Sequence, residues 1–273
     1  MSMGAKVTFG AARPPQRIAA AKENSVLQAL PPTAYAILEQ HLRPQEFAQG
    51  RALWNAGDRP AQVYFPQSGL ISMRVPTAEG YGIEAGSVSR EGVAGIEDAW
   101  DDRVAVVGVA QIGGIYTTID AEIFFHAAQQ NRAIAELAAL SRQWILWQAQ
   151  HMAACNAAHS AEARLCRWLL LVSDRTENAT IPATQESIAD ALGLRRTTIT
   201  LLTHSLEDAG AIYNTRGKIK IRDRELLQSG GCSCCARLAW HNWPSSRLAA
   251  LTRPVLYEMD SVNSHEFRHQ RGA

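Results

Sequence analysis

Residues 184–206, TQESIADALGLRRTTITLLTHSL, decide the fold of the C-terminal part of the chain. Thr184 can cap a helix whose first turn carries Glu186, an acidic residue suited to the positive end of the helix dipole. Ala189 is small enough to let a second helix approach closely, and Gly193 can adopt the left-handed conformation of a tight turn. The spacing therefore predicts a helix-turn-helix.

The second helix of this unit has two different faces. Ile199, Leu202 and Leu206 lie three and four residues apart and are predicted to face the core. The other side carries side chains that can read base edges or contact phosphates in a major groove, namely Arg196, Thr197, Thr200, Leu201 and His204. An isolated helix with this face would be ordinary solvated surface, so the segment that follows it matters.

That segment, residues 213–222, YNTRGKIKIR, predicts a hairpin with Gly217 in its turn. Alternation places the two isoleucines on one face and Lys218, Lys220 and Arg222 on the other. Residues 159–228 hold ten basic and nine acidic side chains, and six of the ten bases lie at the start of the second helix and on the hairpin. The pattern predicts a local basic surface of the kind that meets phosphates.

The sequence of the N-terminal half has a pattern typical of a β-sheet domain. Eleven glycines between 50 and 114 separate short apolar runs, which predicts a sandwich, barrel or jelly roll. Turn chemistry is explicit at 57–58 and at 66–69, Pro-Gln-Ser-Gly. Before this region, residues 26–42 predict a small helical cap, with Pro32 opening its second helix.

Glycine and proline are absent from 120–159, where a long helix is predicted. Apolar positions recur there at alternating steps of four and three, which favours a coiled-coil-like seam between two copies of the chain. The predicted seam residues are Leu137, Leu140, Trp144, Trp147 and His151. The alternative is that this stripe packs on the sheet domain of its own chain.

Composition narrows the class of protein. The 273 residues are 47% hydrophobic and 19% charged, with a net charge of +1, so a packed globular chain is expected and a polybasic coat is not. No apolar run is long enough for a membrane helix and no secretory signal is visible, so no membrane partner is expected. The odd number of cysteines, five, indicates a reducing cytoplasm. We expect a flexible leader at 1–25 and a flexible tail at 229–273.

Taken together, these motifs resemble the Crp/Fnr family of bacterial transcription regulators. Besides the helix-turn-helix and its wing, the sequences VYFPQSG at 63–69 and EGVAG at 91–95 look like the sensor of that family. The resemblance implies an α+β fold: an N-terminal β-roll (a jelly-roll, cyclic-nucleotide-binding-like domain) at 26–125, a dimerisation helix at 126–159, and a winged helix-turn-helix at 160–228. It implies a homodimer that binds palindromic double-stranded DNA and contacts RNA polymerase, under control of an unknown small-molecule effector.

The resemblance also assigns roles in the second helix. Arg196 matches the family's first base-reading arginine, whereas Thr197 and Leu201 stand where the family often has glutamate and arginine, so a different operator is expected. Thr198 matches a phosphate-contacting position. The full predicted DNA-binding set is Thr184, Gln185, Arg195, Arg196, Thr197, Thr198, Thr200, Leu201, His204, Arg216 and Lys218.

The sensor departs from the nucleotide-binding pattern of the family. Ile96 follows Gly95 where a glutamate would hold the ribose, and Arg103 lacks the following Ser or Thr. Glu91, Gly95 and Arg103 remain as candidate effector contacts, the alternative being surface charges on loops. We therefore do not expect cyclic AMP as the effector.

Other cofactors of the family find little support in the sequence. No cysteine precedes Cys155, so an N-terminal iron-sulfur cluster is not expected. Haem is not expected either, because His126, His151, Cys155 and His159 are scattered positions that are commonly structural.

Residues Cys232, Cys234 and Cys235 form a dense thiol cluster in the predicted tail. Thiolates so placed could bind a soft metal or form a disulfide, with His241 as a further ligand, so a thiol redox or metal sensor stays open as an alternative function. No metal site is assigned. A second alternative, a ligand-binding or enzymatic β-roll, has no nucleophile motif or phosphate loop behind it, and no enzyme activity is expected.

Overall fold

The computed structural model describes residues 24–78, 82–96 and 103–238. Almost all of the predicted leader, most of the predicted tail and His241 therefore lie outside the described residues. The described part of the chain begins with two short helices, α1 (Ser25–Gln28) and α2 (Pro32–Glu39). Pro32 occupies the first turn of α2, as the sequence predicted, because that position needs no N–H donor.

The predicted sheet domain is confirmed. Its strands are β1 (Arg43–Phe47), β2 (Ala52–Trp54), β3 (Gln62–Pro66), β4 (Leu70–Pro76), β5 (Gly82–Val88), β6 (Val107–Ile112) and β7 (Gly114–Asp120). They form two antiparallel sheets, one with the order β1-β7-β3 and the other with the order β2-β6-β4-β5. The predicted turn at 66–69 joins β3 to β4, and Gly69 there has a φ of +76°.

Aromatic side chains fill part of the core of the sheet domain. The rings of Phe47 and Tyr116 stack with centroids 5.0 Å apart, and Trp54 stacks on Tyr64 at 5.7 Å. All four are almost fully buried. Burial raises the pKa of the Tyr116 hydroxyl, which is hydrogen-bonded to backbone carbonyls instead of water.

Two helices follow the sheets, α3 (Ala121–Gln130) and α4 (Arg132–Ala158). The long predicted helix is thus present, but it starts at Arg132 and not at 126. Asn131 leaves the helical conformation, with a φ of −130°, and its side chain accepts hydrogen bonds from the N–H groups of Ala133 and Ile134. This cap ends one helix and begins the next. The 27 residues of α4 span about 40 Å.

Part of the predicted dimer seam on α4 packs within its own chain. Leu137 and Trp144 are at most 5% exposed and belong to the core that α1, α2, α3 and the sheets form within the same chain. Leu140 and Trp147 pack against that core, and the His151 ring lies on Trp147 with centroids 3.9 Å apart. Apolar residues at alternating steps of four and three form the same pattern whether the helix packs on a second copy or on its own domain. The periodicity of the sequence therefore could not distinguish a dimer interface from packing within the chain.

The C-terminal domain contains α5 (Ala161–Thr176), β8 (Thr180–Ile181), α6 (Gln185–Leu192), α7 (Arg196–Asp208), β9 (Ile212–Thr215) and β10 (Lys218–Ile221). The three strands form one antiparallel sheet with the order β8-β10-β9. Apolar residues from α5, α6, α7 and the strands meet in one core, whose fully buried members include Trp168, Ile188 and Ile199. This is the predicted winged helix-turn-helix.

The predicted flexible tail is wrong for its first ten residues. Helices α8 (Arg224–Gly230) and α9 (Cys234–Leu238) pack on α5, and α9 also contacts α4. Leu238 is 1% exposed and joins Met152 and Leu171 in a small cluster, and Cys232 is buried as well. A segment without clear periodicity can still be ordered when its few apolar side chains cover an existing core.

The turn of the helix-turn-helix touches the sheet domain. Gly193 has a φ of +61°, and a Cβ built on it would lie 2.9 Å from the Ile83 side chain on β5. Gly210, at the end of α7, has a similar φ of +79° but open space around it.

We expect Gly193→Ala to destabilise the protein by clearly more than Gly210→Ala. Both changes incur the backbone strain of a left-handed L-residue, about 1 to 2 kcal/mol, but only Gly193→Ala also displaces Ile83. Denaturant unfolding of the two variants measures the difference. Equal losses of stability in the two variants would show that the contact between the turn and β5 does not contribute to the free energy of unfolding.

Candidate nucleic-acid interface

Helix α6 begins as the sequence predicted. The Thr184 hydroxyl accepts a hydrogen bond from the backbone N–H of Ser187 at 3.0 Å, and the Ser187 hydroxyl accepts one from the N–H of Thr184 at 3.0 Å. This reciprocal capping box fixes the first turn of α6. Gly193 ends the helix in the left-handed conformation, which confirms its predicted role in the turn.

The Gln185 side chain holds α7 against α6. Its Oε1 accepts a hydrogen bond from the Thr200 hydroxyl at 2.7 Å, and its Nε2 lies 3.5 Å from Oγ1 of Thr203. Thr203 is fully buried, and its hydroxyl donates to the backbone of α7. Gln185 and Thr200 were both predicted to contact DNA, and the structure gives them an additional part in fixing the angle between the two helices.

The outer face of α7 is open. Arg195, Arg196, Thr197 and His204 are exposed, and Leu201 is 72% exposed although it is a large apolar residue. The predicted core side is confirmed, with Ile199 and Leu206 buried and Leu202 half-buried on the same core. Thr198 and Thr200 lie at the edge between the two faces and are half-buried.

The hairpin β9–β10 forms the predicted wing. Thr215 pairs with Lys218 across the turn, and Gly217 has a φ of +77°. Ile219 and Ile221 are buried, while Lys218, Lys220 and Arg222 are exposed, as alternation predicted. The Glu207 carboxylate on α7 accepts a hydrogen bond from the backbone N–H of Asn214 at 3.0 Å, which anchors the wing to the helix.

A groove of about 500 Å³ separates the start of α6, the outer face of α7 and the wing. Five residues of the predicted DNA-binding set line this groove: Thr184, Gln185, Arg196, His204 and Arg216. Glu186 and Glu207 line it too, so the positive charge is concentrated at Arg196 and Arg216 and on the wing. Lys220 and Arg222 are exposed basic residues on the wing that the predicted site omitted, although the alternation of the strand already marked them.

The structure places the three predicted effector residues in different surroundings, and their role stays a prediction. Glu91 is 2% exposed and one of its carboxylate oxygens lies 3.2 Å from Nε of Arg175, so an internal arginine occupies the place proposed for a ligand. Gly95 lies in a turn where an added Cβ would be 2.3 Å from the carbonyl oxygen of Gln62. Arg103 is exposed.

A separate pocket is present in the N-terminal part of the molecule. An apolar pocket of about 560 Å³ lies between the outer sheet surface and α4. Its lining is Met73, Val75, Ala85, Ala105, Val106, Ala139, Arg142, Gln143, Ile145, Leu146 and Ala149. None of the three predicted effector residues is in this lining. The sequence did not reveal the pocket because its residues are mostly small or aliphatic and come from parts of the chain that are far apart.

Arg175 joins the two halves of the molecule. It lies near the end of α5, is 4% exposed, and donates hydrogen bonds to the carbonyl oxygen of Ser87 at 3.0 Å and to Oε1 of Gln148 on α4 at 3.0 Å. With Glu91, it connects the sheet domain, the long helix and the winged domain in one buried polar network. Burial raises the pKa of the neighbouring Glu84, while the Ser72 hydroxyl and the nearby arginines favour its ionised form.

Fold and site together define a winged helix-turn-helix protein with an N-terminal double-sheet domain. Residues 163–229 match the Crp-like helix-turn-helix domain family. Among solved structures, a protein from Eubacterium rectale assigned to the crp/fnr family of transcriptional regulators is similar over 75% of this chain and 96% of its own, with 19% identity and a TM-score of 0.59. FixK2 from Bradyrhizobium japonicum is similar over 70% of this chain and 98% of its own, with 15% identity and a TM-score of 0.59.

The c-di-GMP responsive global regulator CLP from Xanthomonas campestris has a TM-score of 0.57 at 14% identity, over 69% of this chain and 98% of its own. No curated protein matches the sequence. The chain therefore has the fold of the Crp/Fnr transcription regulators and carries their helix-turn-helix domain, which confirms the resemblance predicted from the sequence. Among the described residues, no helix is long and apolar enough to cross a membrane.

Proposed function

We propose that the protein is a transcription regulator that binds double-stranded DNA as a homodimer and has no enzyme activity. The observation that carries this proposal is the open outer face of α7, with Arg196 exposed, beside a wing with four exposed bases. A helix of 13 residues fits a major groove, and the wing then lies where the phosphate backbone runs. Arg196 is the base-reading residue of this proposal.

The proposed dimer uses a different face of α4 from the predicted seam. Ala139, Gln143, Leu146, Gln150 and Ala153 are exposed, follow steps of four and three, and carry no charge. A solvated helix face is normally rich in charged residues, so an uncharged exposed stripe of this length favours a second copy of the helix as its partner. Two recognition helices about 34 to 36 Å apart would then reach successive major grooves.

The proposed effector occupies the pocket between the sheet and α4. Ala139, Gln143 and Leu146 belong both to this pocket and to the proposed dimer face, so a ligand there would touch the residues that set the packing of the two α4 helices. The mostly aliphatic lining suits an apolar or aromatic small molecule. RNA polymerase is proposed as a partner on the resemblance alone.

Selection from a randomised DNA pool, followed by binding titrations at several salt concentrations, tests the proposal. We expect Arg196→Ala to weaken binding to the selected site by about 1 to 3 kcal/mol, roughly tenfold to a hundredfold, and to relax one base position. Lys218→Ala is expected to weaken binding to all sequences about equally and to reduce the salt dependence by about one counterion per chain.

Arg59→Ala provides the matched control, since it removes an exposed arginine on the sheet domain. Binding should stay at the wild-type level in this variant. A wild-type protein that selects no sequence, or an Arg196→Ala variant that binds the selected site as tightly as Arg59→Ala, would contradict the assignment of α7 as the reading helix.

A further inference from the structure

Four potential metal ligands meet where the end of α4 faces the loop between α8 and α9. They are Cys155 and His159 from α4 and its C-cap, and Cys232 and Cys234 from the loop and the start of α9. The sulfur atoms of Cys155 and Cys232 are 3.5 Å apart, and the sulfur of Cys234 lies 3.7 Å from Nδ1 of His159. All four ligand atoms lie within 4.8 Å of one another.

The separations of 3.5 Å and 3.7 Å match two edges of a tetrahedron around zinc. Metal–ligand bonds of about 2.3 Å to sulfur and about 2.0 to 2.1 Å to nitrogen place neighbouring ligand atoms roughly 3.5 to 3.8 Å apart. Cys155 and His159 are one helical turn apart, so both side chains reach the same side of α4. Three thiolates and an imidazole form a ligand set that zinc takes in structural sites.

A buried cation beside the cluster gives an independent indication. The Arg167 side chain is 1% exposed, and within the described part of the chain it forms no ion pair. Its Nη1 is directed at the sulfur of Met152, and its Nε has no hydrogen-bond partner. A buried guanidinium requires a nearby anion.

Arg167 contacts Met152 on α4, three residues before Cys155. Zinc bound by three thiolates and one neutral imidazole has a net charge of −1. The complex would therefore add a second negative charge near Arg167, beside that of the Glu84 carboxylate.

We propose that Cys155, His159, Cys232 and Cys234 bind one Zn²⁺ ion in a closed, four-coordinate structural site. The site connects the last turn of the long helix to the segment that follows the wing. It therefore fixes the junction at Ser160, where α4 ends and the winged domain begins, in one arrangement. The proposal does not depend on DNA binding.

The same arrangement revises the metal-binding set that the sequence left open. Only Cys232 and Cys234 of the three clustered thiols take part, and the other two ligands come from α4, 73 or more residues earlier in the chain. The sulfur of Cys235 is not in the cluster, and its residue packs on the core of the winged domain.

Zinc analysis of the full chain, purified without an affinity tag under reducing conditions, tests the proposal. We expect one zinc per chain in the wild type. Cobalt(II) replacing the zinc should show the intense visible bands of a tetrahedral site and a thiolate-to-cobalt charge-transfer band. Cys234→Ser should lower the affinity for zinc by at least about tenfold, measured by competition with a chelator.

Cys235→Ser is the matched control, because it changes the adjacent thiol, which lies outside the cluster, and should keep wild-type zinc content. If Cys234→Ser fails to fold, His159→Gln removes another half-buried ligand and should cause the same loss. Equal zinc loss in Cys234→Ser and Cys235→Ser would overturn the ligand set. A metal-free wild type that does not take up added zinc or cobalt would overturn the site, as would a Cys155–Cys232 disulfide formed in preference to zinc binding.

Discussion

Replacing Arg175 by methionine is expected to destabilise the folded protein by about 3 to 5 kcal/mol. The substitution leaves the Glu91 carboxylate buried without its cation, and removal of one partner from a buried ion pair costs about this much. It also removes hydrogen bonds to Ser87 and Gln148, so three parts of the molecule lose a common anchor. Chemical denaturation at a fixed protein concentration measures the change.

A second ion pair nearby offers a matched control. Arg90 and Glu177 join the same two domains, but their side chains are 41% and 58% exposed. Exposed pairs contribute about 0 to 1 kcal/mol because water screens the charges, so Arg90→Met should change stability little. Similar losses of stability in Arg175→Met and Arg90→Met would contradict the role assigned to the buried network.

The second large effect is expected from Leu146→Glu. Leu146 is 59% exposed at the middle of α4, on the uncharged face proposed to meet a second copy. In a symmetric dimer the substitution occurs on both sides of the interface. A loss of binding free energy of about 2 kcal/mol on each side weakens association about a thousandfold. The variant should be monomeric in sedimentation experiments at micromolar concentration and should lose binding to a full palindrome.

Ile37→Glu serves as the control for this change. Ile37 is an exposed apolar residue on α2, 38% exposed and away from α4, so a glutamate there should leave association unchanged. A Leu146→Glu variant that still sediments as a dimer would contradict the proposed face. Loss of folded protein would be visible in the far-ultraviolet circular dichroism of both variants, which separates misfolding from dissociation.

The sequence predicted well the parts of the molecule whose conformation depends on residues close together in the chain. The cap at Thr184, the left-handed turn at Gly193, the alternating faces of the wing and the first-turn proline of α2 each depend on residues within a few positions of one another. Their conformations follow from backbone sterics and side-chain hydrogen bonds. The fold class and the family resemblance followed from these local features.

The errors have a common cause. The apolar residues in line with Leu137 and Trp144 have the correct period for an interface. Which surface buries them depends on what packs against this side of α4, and that surface belongs to the same chain. Glu91 matches a ligand-binding position in the sequence, but its carboxylate pairs with Arg175, 84 positions later in the chain. The segment 229–238 lacks periodicity, which predicts a tail, although its apolar side chains cover a core.

The sequence by itself therefore determined the recognition helix, the wing and the order of the domains, since each is encoded in residues that are neighbours along the chain. Only the tertiary structure decided which face of α4 is free and how Arg175 joins the domains. It also brought Cys155 and His159 to Cys232 and Cys234. Contacts between residues 70 or more positions apart arise from packing in three dimensions, which leaves no periodic signal in the sequence.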